Sequence, residues 1–311
     1  MTIKRILALP IDPQTRQSVL NTALLIAGNF GTHIDVAFVK HIPFSYADTA
    51  GDEMSLQIAS DLLSTKNESL EQAEAETRAI FDEFVLAHDV TLSNKPVSTN
   101  EPTASWTSVD GHPADIISEL GGAHDLIVIG QPREAQSMGR ITTEAALFAT
   151  GRPVIITPPE PPLRIGETVL IAWNRGAQAA RAFHAAKALL LDRAQRVRIL
   201  SITTGAKQGP PASEIAANLD WHGIEANVVE LSPDFQSVGE VLLAQASAIN
   251  ADLLVMGVFP RPPAPAYSRR GNQIRVRKIA PAGAHGALTG EEFMTNGGAI
   301  SHTPGDSWLS I

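Results

Sequence analysis

The sequence predicts an α/β protein of two tandem doubly wound parallel-sheet (Rossmann-like) domains, the second lacking its last helix and strand. Three observations predict it. From Lys4 onward short apolar runs alternate with amphipathic stretches, the pattern of strands joined by crossover helices. The alternation completes itself once, is interrupted by the proline-rich "PPEPPLRIGE", and begins again in the same order. Finally, "AHDLIVIG" returns as "NADLLVMG", ending on Gly130 and Gly257; self-similarity at this scale marks duplication of a near-complete domain.

Taken in order, "RILALP" reads as a first strand over Ile6 to Leu9, and "TRQSVLNTALLIAGNFG" as an amphipathic helix closed by Gly31. "HIDVAFVKH" is a buried strand, and a polar helical region runs from Gln57 to His88. Then come "SWTSVDG" (strand), "HPADIISELGGA" (helix), "DLIVIG" (strand), "TTEAALFATG" (helix) and "RPVIITPP" (strand). These residues, 1–158, form the first domain, and 159–166 the linker. In the second domain, 167–259, "TVLIAWN" answers the first strand, "AQAARAFHAAKALL" the first helix and "RVRILSIT" the second strand. "PASEIAANLDWHG", "IEANVVEL", "SVGEVLLAQASAIN" and "DLLVMG" follow as helix, strand, helix and strand. After Phe259 the prolines at 260, 262, 263 and 265 forbid both a helix and a central strand, so 260–311 is expected to be an irregular tail.

Composition narrows the function classes. A chain of 311 residues suffices for about two domains, and 44% hydrophobic with 18% charged residues is globular rather than disordered. The apolar runs fall well short of the roughly 18 residues of a membrane span. Pro10 and Asp12 interrupt the N-terminal apolar patch before a signal-peptide core forms. The absence of cysteine excludes disulfides, thiolate metal sites and cysteine nucleophiles, and a cytoplasmic location is expected. The net charge of −9 argues against a general affinity for nucleic acid, and no membrane partner is expected. The basic residues of the tail, Arg261 to Lys278, are read as part of an unstructured segment rather than a nucleic-acid arm.

Reactive constellations are sparse. The nine histidines show no HExxH spacing, so no metal site is expected. His33 and His41 read as strand ends, and His184 as a helical residue. No G-x-S-x-G elbow and no Walker motif occurs, which leaves hydrolase chemistry without a nucleophile. Asp110, His112 and Asp115 lie close together, but a turn and a helix N-terminus explain them without acid/base work. Trp106, Trp173 and Trp221 fall in different elements and read as core or edge packing.

At "VLIAWNRGAQAARAFHAAKALL" and "VGEVLLAQASAINADLLVMG" the chain resembles the universal stress protein family in its tandem two-domain form, over roughly Lys4 to Phe259. The resemblance implies five-stranded parallel sheets, pairing of domains through the last strand, no enzymatic activity and, in one subgroup, ATP binding. In that subgroup an acidic or amide residue after the first strand contacts the base, and a G-x2-G-x9-G-[ST] run after the fourth strand cradles the phosphates. Glycines let backbone amides approach the phosphates, and the next helix presents its positive end. Carried over, the pattern places Asn174 at the base-contact position and makes Gly257 the first motif glycine; a turn residue and a turn glycine are the rival readings of the two. Asp12 stands near the base position in the first domain, but Arg133 takes the place of the second glycine there, so the first domain is expected to lack the site.

Nothing after Phe259 matches the family. Back-translated with synonymous codons and read one base later, residues 260–288 permit "RARLRQLILGGATRYAFGKSPLLVLMAH" followed by a stop: a Gly-Gly turn, a helix and an apolar strand. The C-terminus is therefore expected to be the product of a shifted frame. The expected function is that of a stress-response protein whose second domain derives from an adenine-nucleotide binder, with ATP binding weak or lost and self-association through the domain interface. An adenine-nucleotide α-hydrolase-like enzyme shares the layered fold, but "LALPIDPQT" and "IAWNRGAQ" lack its serine- and glycine-rich loop. A ligand-free interaction module is the third reading.

Overall fold

A computed structural model describes residues 3–41, 53–97, 101–132, 138–189, 193–202, 209–232 and 237–258. The expected tail 260–311, and with it the shifted frame, lies outside the described residues, as does Arg133.

The first sheet contains β1 (Arg5–Leu9), β2 (His33–Lys40), β3 (Thr91–Leu92), β4 (Thr103–Asp110), β5 (Leu126–Gly130) and β6 (Val154–Thr157), in the order β3-β4-β2-β1-β5-β6. The second contains β7 (Thr168–Ala172), β8 (Arg196–Ile202), β9 (Ala226–Leu231) and β10 (Leu253–Val255), in the order β10-β7-β8-β9. Every pairing is parallel. The helices are α1 (Arg16–Phe30), α2 (Glu53–Ala87), α3 (Pro113–Gly122) and α4 (Met138–Ala149) with the first sheet, and α5 (Ala177–Leu189), α6 (Ala212–Asp220) and α7 (Val238–Ala248) with the second.

Alternation along the central strands sets the layering. In β1, Ile6 and Ala8 join a core shared with α1 and α2, whereas Leu7 and Leu9 face α3 and α4. In β7, Val169 and Ile171 pack with Phe183 of α5 and Ile215 of α6, and Leu170 faces Leu242 and Ala246 of α7. Both strands are covered on both faces, which is why their sequences are unbroken apolar runs. The α1 side of the first sheet and the α5 side of the second belong to one continuous apolar cluster. Gly31 ends α1 in the left-handed conformation, φ 56°, its amide donating to the Ala27 carbonyl.

Two aspartates hold the N-terminal edges in the same way. Asp125, one residue before β5, accepts the Lys4 and Arg5 amides at 2.8 and 3.1 Å. Asp252, one residue before β10, accepts those of Gly166, Glu167 and Thr168 at 2.7, 3.2 and 3.0 Å. Burial pushes the Asp252 carboxyl up, against the opposing pull of these amides and of Arg164.

The sequence reading missed three features. The first sheet gains a sixth strand, β3, only two residues long. Trp221 does not pack: it closes α6 with 89% of its surface exposed. β6 stands last in its sheet as an edge strand, yet Val154, Ile155, Ile156 and Thr157 are all buried, because α1 covers one face and α4 the other.

Candidate functional site

In each sheet the strand order reverses direction at the first strand. β1 has β2 on one side and β5 on the other; β7 has β8 and β10. Crossover helices on opposite sides leave a crevice beyond the C-terminal ends of these strands, where open α/β sheets bind ligands.

The loop that enters this crevice in the second sheet is "WNRG", between β7 and α5. Trp173 is buried, donates its Nε1 proton to the Pro210 carbonyl at 3.0 Å, and meets the Phe183 ring edge-on at 6.4 Å. Asn174 follows on the surface, its Oδ1 accepting the Gly176 amide at 2.9 Å. This is an Asx turn, which an asparagine forms readily at the entrance to a helix. Arg175 then takes the left-handed conformation, φ 66°, unusual for a residue with a Cβ. Its carbonyl presses on Gly209, where a Cβ would collide with it. The Arg175 guanidinium reaches toward Glu230 of β9 at 3.9 Å, and its buried Nε has no partner among the described residues.

Gly257 lies two residues past β10 and against the first turn of α5. A Cβ there would collide with the Ala179 amide nitrogen and stand 2.5 Å from the Gln178 carbonyl carbon. Close packing of helix on strand therefore requires glycine at this position. Asn174, two residues past β7, and Gly257, two residues past β10, thus both lie at the N-terminus of α5, beyond the ends of adjacent strands. Neither the Asx turn nor the packing contact depends on a ligand.

The first sheet builds its crevice differently. Pro10 inserts a tight turn in which the Ile11 amide donates to the Leu9 carbonyl at 2.9 Å, and Asp12 Oδ1 then accepts the Gln14 amide at 2.9 Å. Asp12 and Asn174 occupy corresponding turns. Gly130 packs against Thr15, the residue before α1, as Gly257 packs on Ala179. Arg16, with 4% of its surface exposed, extends one nitrogen to Glu76 at 3.3 Å and leaves Nε without a partner among the described residues.

Beyond β2 and β4 the acid/base trio resolves into helix capping. His112 Nδ1 accepts the Ala114 amide at 3.3 Å, Pro113 opens α3, and Asp115 lies in its first turn. Nearby, Lys40 is paired with Glu74 at 2.6 Å; the hydrogen bond to that carboxylate raises the Lys40 pKa. Among the described residues no group of three or more histidines or acids could hold a metal ion, and no helix is long and apolar enough to cross a membrane.

The sequence reading missed Arg16 and Arg175, the two arginines whose Nε atoms are buried without partners. The only local signal at Arg175 was the glycine beside it, and nothing in the neighbouring sequence singles out Arg16.

The chain is similar to a universal stress protein from Archaeoglobus fulgidus at 17% identity, covering 81% of this chain and 86% of that one, with a TM-score of 0.50. A putative universal stress protein from Pseudomonas aeruginosa matches at 15% identity over 84% of each chain, TM-score 0.45. A universal stress protein in complex with cAMP matches at 14% identity over 51% of this chain and all of its own, TM-score 0.29. No family model and no curated protein sequence matches. The likeness to the first of these structures shows a universal-stress-protein-like fold.

Proposed function

We propose that this chain is a non-enzymatic stress-response protein of the universal stress type. In this reading it consists of two copies of one domain, residues 1–158 and 167–259, joined by the linker 159–166. The second copy descends from an adenine-nucleotide binder. The observation that carries this reading is that Asn174 and Gly257, each two residues past one of the adjacent strands β7 and β10, both lie at the N-terminus of α5. Free amides at a helix N-terminus favour the negative charge of a phosphate. The matching roles of Asp125 and Asp252 support the duplication.

The site is impaired in this reading. The glycine run that would follow Gly257 is replaced by a proline-rich sequence that removes amide donors at 260, 262, 263 and 265. Out-of-frame translation after Phe259 accounts for that replacement. The protein acts in the cytoplasm, without a metal, and self-associates through the domain interface.

Incubation with ATP, followed by separation of protein from free nucleotide, tests the reading. The expected result is little retention and no ADP formation by the chain as it stands. Steady conversion of ATP to ADP would instead support an enzyme.

A further inference from the structure

Among the described residues of the first sheet and its helices, buried side-chain nitrogens and oxygens are matched with one exception, Arg16 Nε. Asp35 of β2 shows the rule. Its carboxylate accepts from Arg5 Nη2 at 2.8 Å, His124 Nε2 at 2.9 Å, Ser105 Oγ at 2.7 Å and His33 Nε2 at 3.2 Å. Burial alone would raise the Asp35 pKa, but these bonds outweigh it and hold the carboxyl well below the usual carboxylate range.

Arg16 opens α1 with only 5% of its side chain exposed. A guanidinium offers five N–H donors and accepts nothing. Among the described residues its one acceptor is Glu76 of α2, met by Nη1 at 3.3 Å. Glu76 is itself half exposed and shared with Gln72 Nε2 at 3.1 Å, so the pair is a weak one.

The backbone beside Arg16 is short of acceptors too. The first intrahelical bond of α1 runs from the Val19 amide to the Thr15 carbonyl, which leaves the amides of Arg16, Gln17 and Ser18 outside the ladder. Thr15 stands at the N-cap but does not cap them; its hydroxyl donates to the Asp12 carbonyl at 3.2 Å. Asp12 gives one carboxylate oxygen to the Gln14 amide, ahead of the helix. Thr15, Arg16 and Ser18 are buried, and a helix start buried without side-chain partners calls for another acceptor. Gln17 between them is exposed, so this turn reaches solvent on one side.

The two shortages coincide in space. Nε is five bonds from the amide nitrogen of its own residue, at most about 6 Å away. Long side chains of a helix also lean back over its N-terminal turn. A tetrahedral oxyanion accepting bonds of about 2.9 Å on different oxygens bridges that distance. The contact of Gly130 with Thr15 sets this helix start against the end of β5, in the first crevice. Arg175 shares an orphaned Nε but precedes α5 and keeps 20% of its side chain exposed.

We propose that the start of α1 binds a phosphoryl oxyanion, held by Arg16 Nε and the amides of Arg16 and Gln17, with Glu76 competing for the guanidinium. The site stands apart from the nucleotide reading of the second sheet. Inorganic phosphate and the phosphate of a nucleotide present the same chemistry to it.

Amide and arginine Nε NMR of the full chain, titrated with inorganic phosphate and separately with AMP, against sodium chloride of equal ionic strength, tests this. The Arg16 Nε–H and the Arg16 and Gln17 amides should shift to saturation, and the ligand that saturates at the lower concentration identifies the source. Arg16→Gln should weaken that binding at least tenfold. Glu76→Gln, at a half-exposed position, should leave the fold intact and tighten it at least threefold, a gain that a purely structural role for Arg16 does not produce. Shifts confined to α5 in both titrations, shifts reproduced by chloride, or the same affinity in the parent and both variants would overturn the proposal.

Discussion

Gly257 and Ala179 are packed so closely that a Cβ on the glycine would stand 2.8 Å from the Ala179 Cα and collide with the Ala179 amide nitrogen. The obstacle is helix backbone, which cannot rotate away as a side chain would. Gly257→Ala should therefore force β10 and α5 apart, at a cost of about 1–3 kcal/mol. Urea unfolding of the variant against the parent chain measures it.

Gly28 offers the opposite case. It lies in α1, is exposed, and has open space where a Cβ would go. Gly28→Ala should stabilise the chain by roughly 0.5–1 kcal/mol, because glycine loses more conformational freedom in a helix. A raised denaturant midpoint with an unchanged slope is the expected outcome.

Ser237 and Glu240 form a complete capping box at the start of α7. The Ser237 amide donates to Glu240 Oε2 at 2.8 Å, and the Glu240 amide donates to Ser237 Oγ at 3.3 Å. Ser237→Ala should destabilise by about 1 kcal/mol, whereas Ser237→Asp should keep most of the cap. Thermal unfolding of the two variants separates these outcomes.

Asp35 links stability to acid. Its carboxyl is held below the ordinary carboxylate range in the folded chain, so its contribution is complete above about pH 4, the range of an unfolded aspartate, and is lost as the pH falls further. Asp35→Asn should cost on the order of 3 kcal/mol at neutral pH, since Arg5 and His124 lose their partner. The difference between variant and parent should shrink below pH 4. A constant difference from pH 7 to pH 3 would contradict the linkage.

Much of the fold was legible because it rests on local signals. The apolar runs of β1, β5, β7 and β10 announce strands covered on both faces, and Gly31 marks the end of α1. Asn174 was legible as a residue just past the first strand of the second copy, though the sequence could not say that its oxygen would be used by the Gly176 amide. The Asp35 cluster was not legible. Its members stand at positions 5, 33, 35, 105 and 124, and only strand register brings them together. Arg175 was missed because left-handed geometry is expected of glycine or asparagine, and both flank it. The two-residue β3 carries too little pattern to be read without its partner β4.

The central claim is that Asn174 and Gly257, at the start of α5, are the foundation of a nucleotide site whose glycine run is replaced, in the sequence after Phe259, by prolines. Calorimetric titration of ATP tests this most directly, comparing the present chain with one whose sequence after Phe259 is restored to the shifted frame. The account predicts weak or undetectable heat for the present chain and measurably tighter binding for the restored one. Equal, tight affinity in the two would contradict it.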